Sequence, residues 1–183
     1  MRDSSVVTKA ALLFAALTAI SYWPVFQGRV PLPTDLVNQF PPFRPYYYEM
    51  SIRTPHAELG DAITEVYPWR KFTAEALRSG VIPLWNPHLF AGTPFQANSL
   101  TAIFYPLNLI FVLLPVPVAW SLSLMLKVFL AAIFTFLFLR EIGASVSGSI
   151  VAAVVFAFGG FMTGWLAWPR ADTSIWLPLL CFQ

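Results

Sequence analysis

Long uncharged stretches of apolar residues alternate with shorter polar segments, and three of these stretches predict membrane-spanning helices. The first has its core at 10–26, long enough to cross most of a hydrocarbon layer of roughly 30 Å at about 1.5 Å per residue. The second runs over 118–139. The third, 148–168, is rich in glycine and alanine, which lets a neighbouring helix approach closely in lipid. The pattern predicts an all-α integral membrane protein, a polytopic helix bundle.

The start of the chain has features of a membrane anchor. A cleaved signal peptide needs small residues at its cleavage site, but Tyr22, Trp23 and Pro24 follow the first apolar core, which favours an uncleaved helix. Because Arg2 and Lys9 precede that core, the positive-inside rule places the N-terminus in the cytoplasm. The segment after the first helix is then expected outside.

Residues 27–100 form the polar part of the chain and predict a large extracytoplasmic loop with short helices. Several prolines prevent a long helix in its first half, whereas 69–79 has good helix formers, Pro68 suits the first turn and Gly80 suits the stop. The proline-rich segment after Gly80 predicts extended chain along the membrane surface. We therefore expect three parts: 1–26 with the first helix, 27–100 as the loop, and 101–183 with the remaining helices.

The apolar segment 102–114 has two interpretations. Either it is a short re-entrant or interfacial element and 118–139 is the single span, or both cross as a tight hairpin. The first delivers Arg140 to the cytoplasm and agrees better with the positive-inside rule. The last apolar run, 175–182, is eight residues long, well short of the roughly 20 that a span requires, and predicts a truncated helix.

Composition supports a membrane location and excludes other classes. Apolar residues make up 57% of the 183 positions, charged residues 11%, and the mean hydropathy is +0.66, so a soluble domain is not expected. A net charge of +2 without a basic patch argues against nucleic-acid binding. Cys181 is the single cysteine, and His56 and His88 stand alone in a proline-rich region, as surface or packed imidazoles do.

The candidate chemistry lies in a repeated spacing. Asp35 is followed by Pro-Phe-Arg at 42–44, and Asp61 by Pro-Trp-Arg at 68–70, at the same offsets. In one interpretation these are loop ion pairs and helix-terminus charges. In the other, the carboxylate is a general base near the membrane, and Arg70 with Lys71 holds a phosphate.

Two further features bear on function. Glu65 adds a carboxylate near Asp61, so a divalent metal between them is conceivable. Lys127 is the lone charge inside the second span and is a candidate either for function or for a structural ion pair, with a partner that the sequence does not identify.

Several segments resemble the YfhO-like bacterial membrane proteins. They are Gly60-Asp61, YPWR at 67–70, SGVIPLWNP at 79–87, FAGTPF at 90–95, YPLN at 105–108 and FLREIG at 138–143. The PLWNP segment with the following AGTP is the most specific part. The resemblance covers most of the chain from about Asp35 onward.

The resemblance implies a GT-C class glycosyltransferase in the bacterial cytoplasmic membrane, with many helices, a large first outer loop and a polyprenyl-phosphate sugar donor. It implies that Asp61 or Asp35 is the base. From the repeated spacing together with the resemblance, we expect Arg70 and Lys71 to bind the phosphate, and Trp69, Trp85 and Asn86 to shape the sugar site. The chain lacks the Asp-x-Asp or Asp-Glu pair of several branches of that class, so the resemblance leaves open whether a divalent metal is required. The alternatives are a non-catalytic protein that binds or moves a lipid-linked sugar, and a membrane assembly subunit.

Overall fold

The computed structural model describes residues 4–39, 41–42 and 59–181. These residues are mostly helical, as predicted. The expectations for Phe43, Arg44 and His56 lie outside the described residues. The α-helices are, in chain order, α1 (Ser4–Ser21), α2 (Tyr67–Arg78), α3 (Leu109–Leu113), α4 (Val116–Glu141), α5 (Val146–Phe158), α6 (Gly160–Trp165), α7 (Pro169–Ser174) and α8 (Leu177–Leu180). Two short strands, β1 (Trp85–Asn86) and β2 (Thr93–Pro94), pair antiparallel.

Among the described residues, three helical segments are long and apolar enough to cross a membrane: α1, α4, and α5 together with α6. Each overlaps one of the three predicted stretches. Helix α1 starts before the predicted core and ends at Ser21, and a 3-10 turn over Trp23–Gln27 follows it. Pro24 lies in this turn, where a continued α-helix would force its ring against a carbonyl of the preceding turn.

The third span is not continuous, which corrects the prediction of one helix over 148–168. Gly159 has an extended backbone (ψ 160°) that separates α5 from α6. A Cβ atom at Gly159 would lie 2.6 Å from the carbonyl oxygen of Val155, so no other residue fits without a backbone shift. The break therefore depends on a glycine.

The chain forms two compact units, which we name the helical unit (Met1–Arg29 with Ser121–Gln183) and the loop unit (Val30–Trp120). The loop unit thus includes residues 101–120, beyond the predicted end of the loop at 100.

In the helical unit, one face of α1 is buried and the remainder is exposed although apolar. Phe14, at the centre of the buried face, meets Phe136 of α4 edge to face with ring centroids 5.9 Å apart. On α5, a narrow stripe of Ser149, Ala153 and Ala157 is buried. Val151 and Val155 are exposed, and so are Gly148 and Ala152, which were expected to face a neighbouring helix. Helices with apolar exposed faces are typical of contact with lipid.

The segment 102–114, all of which is described, contains only a 3-10 turn and the five-residue helix α3. Five residues rise about 8 Å, far less than a bilayer. The segment therefore has no helix long enough for the crossing hairpin of the second interpretation, whereas α4 is long and apolar enough to span.

The loop unit is organised around α2, which begins and ends close to its predicted bounds. A π-helical turn, Ala62–Val66, leads into it, and Gly80 follows it with φ +74°. Near the end of α2, Arg78 donates hydrogen bonds to the carbonyl oxygens of Phe111 (2.7 Å), Val112 (2.9 Å) and Leu114 (2.5 Å). These contacts satisfy carbonyls at the C-terminal end of α3, which its own helix leaves free.

The extended segment predicted after Gly80 does not run on as a single extended chain. It turns back, so that Trp85 pairs with Pro94 and Asn86 with Thr93. This small ribbon is the exception to the all-α prediction. The PLWNP and AGTP segments therefore contribute the two strands of one hairpin.

Candidate functional site

An open cleft of about 460 Å³ lies in the loop unit between α2 and the ribbon segment. It brings together three of the residues that the sequence predicted as substrate-binding, namely Trp69, Lys71 and Asn86. The other described residues that line it are Thr64, Pro68, Phe72, Glu75, His88 and Leu89.

Helix α2 supplies one wall of the cleft. Pro68, Lys71, Phe72 and Glu75 follow one another at helical spacing and so share a face. Lys71 and Glu75 form an ion pair with Nζ and Oε1 3.9 Å apart, and both side chains are more than half exposed. Such a pair contributes little to stability and leaves the ammonium able to accept an anionic ligand.

The opposite wall is held in place by Asn86 and His88. The Asn86 side chain is buried, and its Oδ1 accepts a hydrogen bond from the backbone N–H of His88 (2.9 Å). The His88 ring stands edge to face on Phe72, which in turn packs on Phe95, with centroids 5.7 and 5.0 Å apart. The sequence interpretation missed His88 as a cleft residue. The signal was present, because an Asn that bonds the backbone two residues later is a common turn motif.

Arg70 has a different place from the one predicted for a phosphate ligand. Its side chain is only 4% exposed, and Nη1 donates a hydrogen bond to the carbonyl oxygen of Thr101, which is itself buried. Arg70 is not among the described residues that line the cleft. In this structure Arg70 ties α2 to the 3-10 turn over Ser99–Thr101.

The two predicted carboxylates also lie outside the described lining. Asp61 is exposed at the start of the π-helical turn, and Asp35 is half-buried in a 3-10 helix over Thr34–Gln39. Asp61 acts on its neighbour Glu65: burial, and then the negative charge of Asp61, raise the pKa of the Glu65 carboxyl. Glu65 follows the cleft residue Thr64 in the chain and is itself exposed.

No group of three or more His, Cys, Asp or Glu side chains suited to a metal ion occurs among the described residues.

Trp85, the remaining predicted residue, is in β1, and it is not among the described lining residues. Its indole covers Gly92, where a Cβ atom would lie 2.4 Å from the indole nitrogen. Trp85 and Gly92 therefore fix the hairpin that carries Asn86 and His88.

In the helical unit, Lys127 has a partner that sequence reasoning did not find. Its Nζ lies 2.6 Å from Oδ1 of Asp172 and donates to the carbonyl oxygen of Leu166 at 3.2 Å. The side chains of Lys127 and Asp172 are 6% and 4% exposed. This ion pair lies in the helical unit, whereas the cleft lies in the loop unit.

The cleft has the chemistry of a site for an anionic, partly apolar ligand. Lys71 provides a positive charge, Asn86 provides an amide in the opposite wall, and Trp69 and Phe72 provide aromatic surface. Comparison with family models, curated proteins and solved structures gives no match to this chain.

Proposed function

We propose that the chain is part of a membrane glycosyltransferase that transfers a sugar from a polyprenyl-phosphate donor to an extracytoplasmic acceptor. The observation that supports this best is the cleft in which Trp69, Lys71 and Asn86 converge. A sugar phosphate needs a cation for its phosphate, and amide and aromatic groups for its ring. Three apolar helices suit residence in the bilayer, where a polyprenyl chain is dissolved.

The reaction assigns a role to each group. The acceptor hydroxyl oxygen attacks the anomeric carbon, the bond from that carbon to the phosphate oxygen breaks, and its electron pair leaves with the polyprenyl phosphate. Lys71 stabilises the departing phosphate, and Asp61 or Asp35 takes the hydroxyl proton. In this proposal, Arg70 acts from beneath α2 by fixing the helix that presents Lys71 and Trp69.

The proposal includes location. The chain is a multi-pass protein of the bacterial cytoplasmic membrane, with the loop unit outside. The support is the position of Arg2 and Lys9 before the apolar core at 10–26.

Binding of the carrier lipid tests the cleft directly. Purified protein in detergent is titrated with undecaprenyl phosphate, and bound lipid is followed by native mass spectrometry. A hydrogen bond to a charged group is worth about 1.5–3 kcal/mol, so Lys71→Gln is expected to weaken binding at least about tenfold. Lys9→Gln makes the same change at an exposed lysine of α1 and is expected to leave binding unchanged. Equal affinity of the two variants would remove the cleft from the proposal.

Transfer is tested separately. Membranes containing the intact protein are given a panel of polyprenyl-phosphate hexoses, and release of polyprenyl phosphate is measured. Asp61→Asn or Asp35→Asn should abolish release, and the variant that does so identifies the base. Full activity in both variants would exclude either as the base.

A second candidate function is a non-catalytic protein that binds or moves a lipid-linked sugar. It is favoured by the observation that neither Asp61 nor Asp35 is among the described residues that line the cleft. If this candidate is correct, Lys71→Gln weakens lipid binding, whereas Asp61→Asn and Asp35→Asn leave it unchanged.

A further inference from the structure

The hairpin of the loop unit presents large apolar side chains to the outside. Phe90, at its tip, is 89% exposed, and Leu84 and Trp85 at its base are 60% and 55% exposed. An apolar surface of this kind on a folded element marks a site of contact with something other than water. Phe90 takes no part in the cleft described above.

The backbone of the tip is strained in a way that displays Phe90. Gly92 N–H bonds the carbonyl oxygen of Leu89 (2.7 Å), and the two central residues of this turn, Phe90 and Ala91, have φ of +48° and +60°. Turns with two positive φ values normally carry Asn, Asp or Gly there, and a bulky residue is a genuine outlier. Strain of this sort is retained at sites with a function, such as a clamp on a ligand.

The chemistry around the tip identifies a lipid bilayer as the contact. No Asp, Glu, Lys or Arg occurs from 79 to 126, so the hairpin has none of the charges that set register in a protein interface. The same uncharged chain continues from the hairpin into α4, a segment long and apolar enough to span a membrane. Exposed tryptophan and phenylalanine side chains on one uncharged element are typical of the zone between headgroups and acyl chains.

We propose that the hairpin 84–94 is a membrane-inserting element, with Phe90 placed among the lipid acyl chains next to the headgroups and Trp85 at headgroup level. Its occupant is the bilayer in which the protein resides. The proposal rests on the membrane location given under the proposed function, but it uses neither the cleft nor a sugar ligand, so a failure of sugar transfer would leave it standing.

Depth measurement by spin labelling tests this proposal. Phe90→Cys is made in a Cys181→Ser background, labelled with a nitroxide and reconstituted in vesicles of phosphatidylethanolamine and phosphatidylglycerol. Collision rates with oxygen, which concentrates in lipid, and with a water-soluble nickel chelate are then compared. We expect oxygen collisions to exceed nickel collisions at position 90. Ala91→Cys gives a second measurement that keeps the Phe90 ring, with the same result expected.

The matched control is Lys71→Cys, an exposed position of the same unit on α2, where nickel collisions should predominate. If the labels at 90 and 91 collide with the nickel chelate as often as the label at 71, the tip lies in water and the proposal is overturned. Protection from both reagents would indicate contact with protein and would overturn it too. Spin–spin broadening between labels would show that the tip meets a second copy, with the same consequence.

Discussion

The buried ion pair of Lys127 and Asp172 allows a quantitative prediction. Their charged atoms are 2.6 Å apart, both side chains are almost fully buried, and Lys127 also bonds the Leu166 carbonyl. Removing one member of such a pair leaves an uncompensated buried charge and costs about 3–5 kcal/mol. We expect Lys127→Met to lose an amount in this range, and Asp172→Leu somewhat less because Leu166 still accepts from the ammonium.

The double variant distinguishes the pair from its separate members. Lys127→Met with Asp172→Leu removes both charges and replaces them with apolar groups, which is often neutral or even stabilising for a buried pair. We expect the free energy of unfolding of the double variant to lie within about 2 kcal/mol of that of the original protein. Its loss is then much smaller than the sum of the two single losses. The coupling energy from this cycle is then about 3 kcal/mol or more.

Reversible unfolding of the purified protein in mixed detergent and dodecyl sulfate, followed by tryptophan fluorescence, supplies the free energies of unfolding. Thr135→Val serves as a control on α4. The Thr135 side chain is buried and bonds only the carbonyl oxygen of Ala131 in its own helix among the contacts seen, so its loss should cost about 1 kcal/mol. Single-variant losses below that of the control, or strict additivity in the double variant, would refute the reasoning.

Three further predictions concern the loop unit. Arg78→Lys keeps the charge but cannot form the same fork to three carbonyls, so we expect a loss of about 1–2 kcal/mol and a lower melting temperature, and unchanged melting would contradict this. Gly92→Ala, at φ +120° and against the Trp85 indole, should cost about 1–3 kcal/mol and shift the ¹⁹F resonance of labelled Trp85; an unmoved resonance would count against the contact. The raised pKa of Glu65 means that this carboxyl holds its proton more tightly in the folded protein than in the unfolded chain. The stability that the protonated carboxyl contributes is therefore present at low pH and is lost as pH rises through the folded pKa. Glu65→Gln should remove that part of the pH dependence, and Asp61→Asn should lower the Glu65 pKa without restoring its ordinary value, since burial is the larger cause; titration by ¹³C NMR measures both.

Part of the candidate site was predictable from local sequence. Local sequence predicts α2 from Pro68 at its start, a run of good helix formers and Gly80 at its end. Trp69 and Lys71 lie within this predicted helix, so their placement on α2 follows from local sequence. Whether these residues share a site with Asn86 depends on how the hairpin folds back on α2. No local propensity encodes that contact, although the turn in which Asn86 accepts from the His88 N–H is a local signal that the two side chains belong to one turn.

The sequence by itself determined where the apolar helices lie, because twenty or so uncharged residues have few alternatives to a helix of spanning length. It also marked Lys127 as a charge that needs a partner. Only the tertiary structure decided that the partner is Asp172, that the third span breaks at Gly159, and that Arg70 binds the Thr101 carbonyl. Each of these depends on the close approach of particular atoms, most of them far apart along the chain, and hydrophobic periodicity carries no information about such approaches.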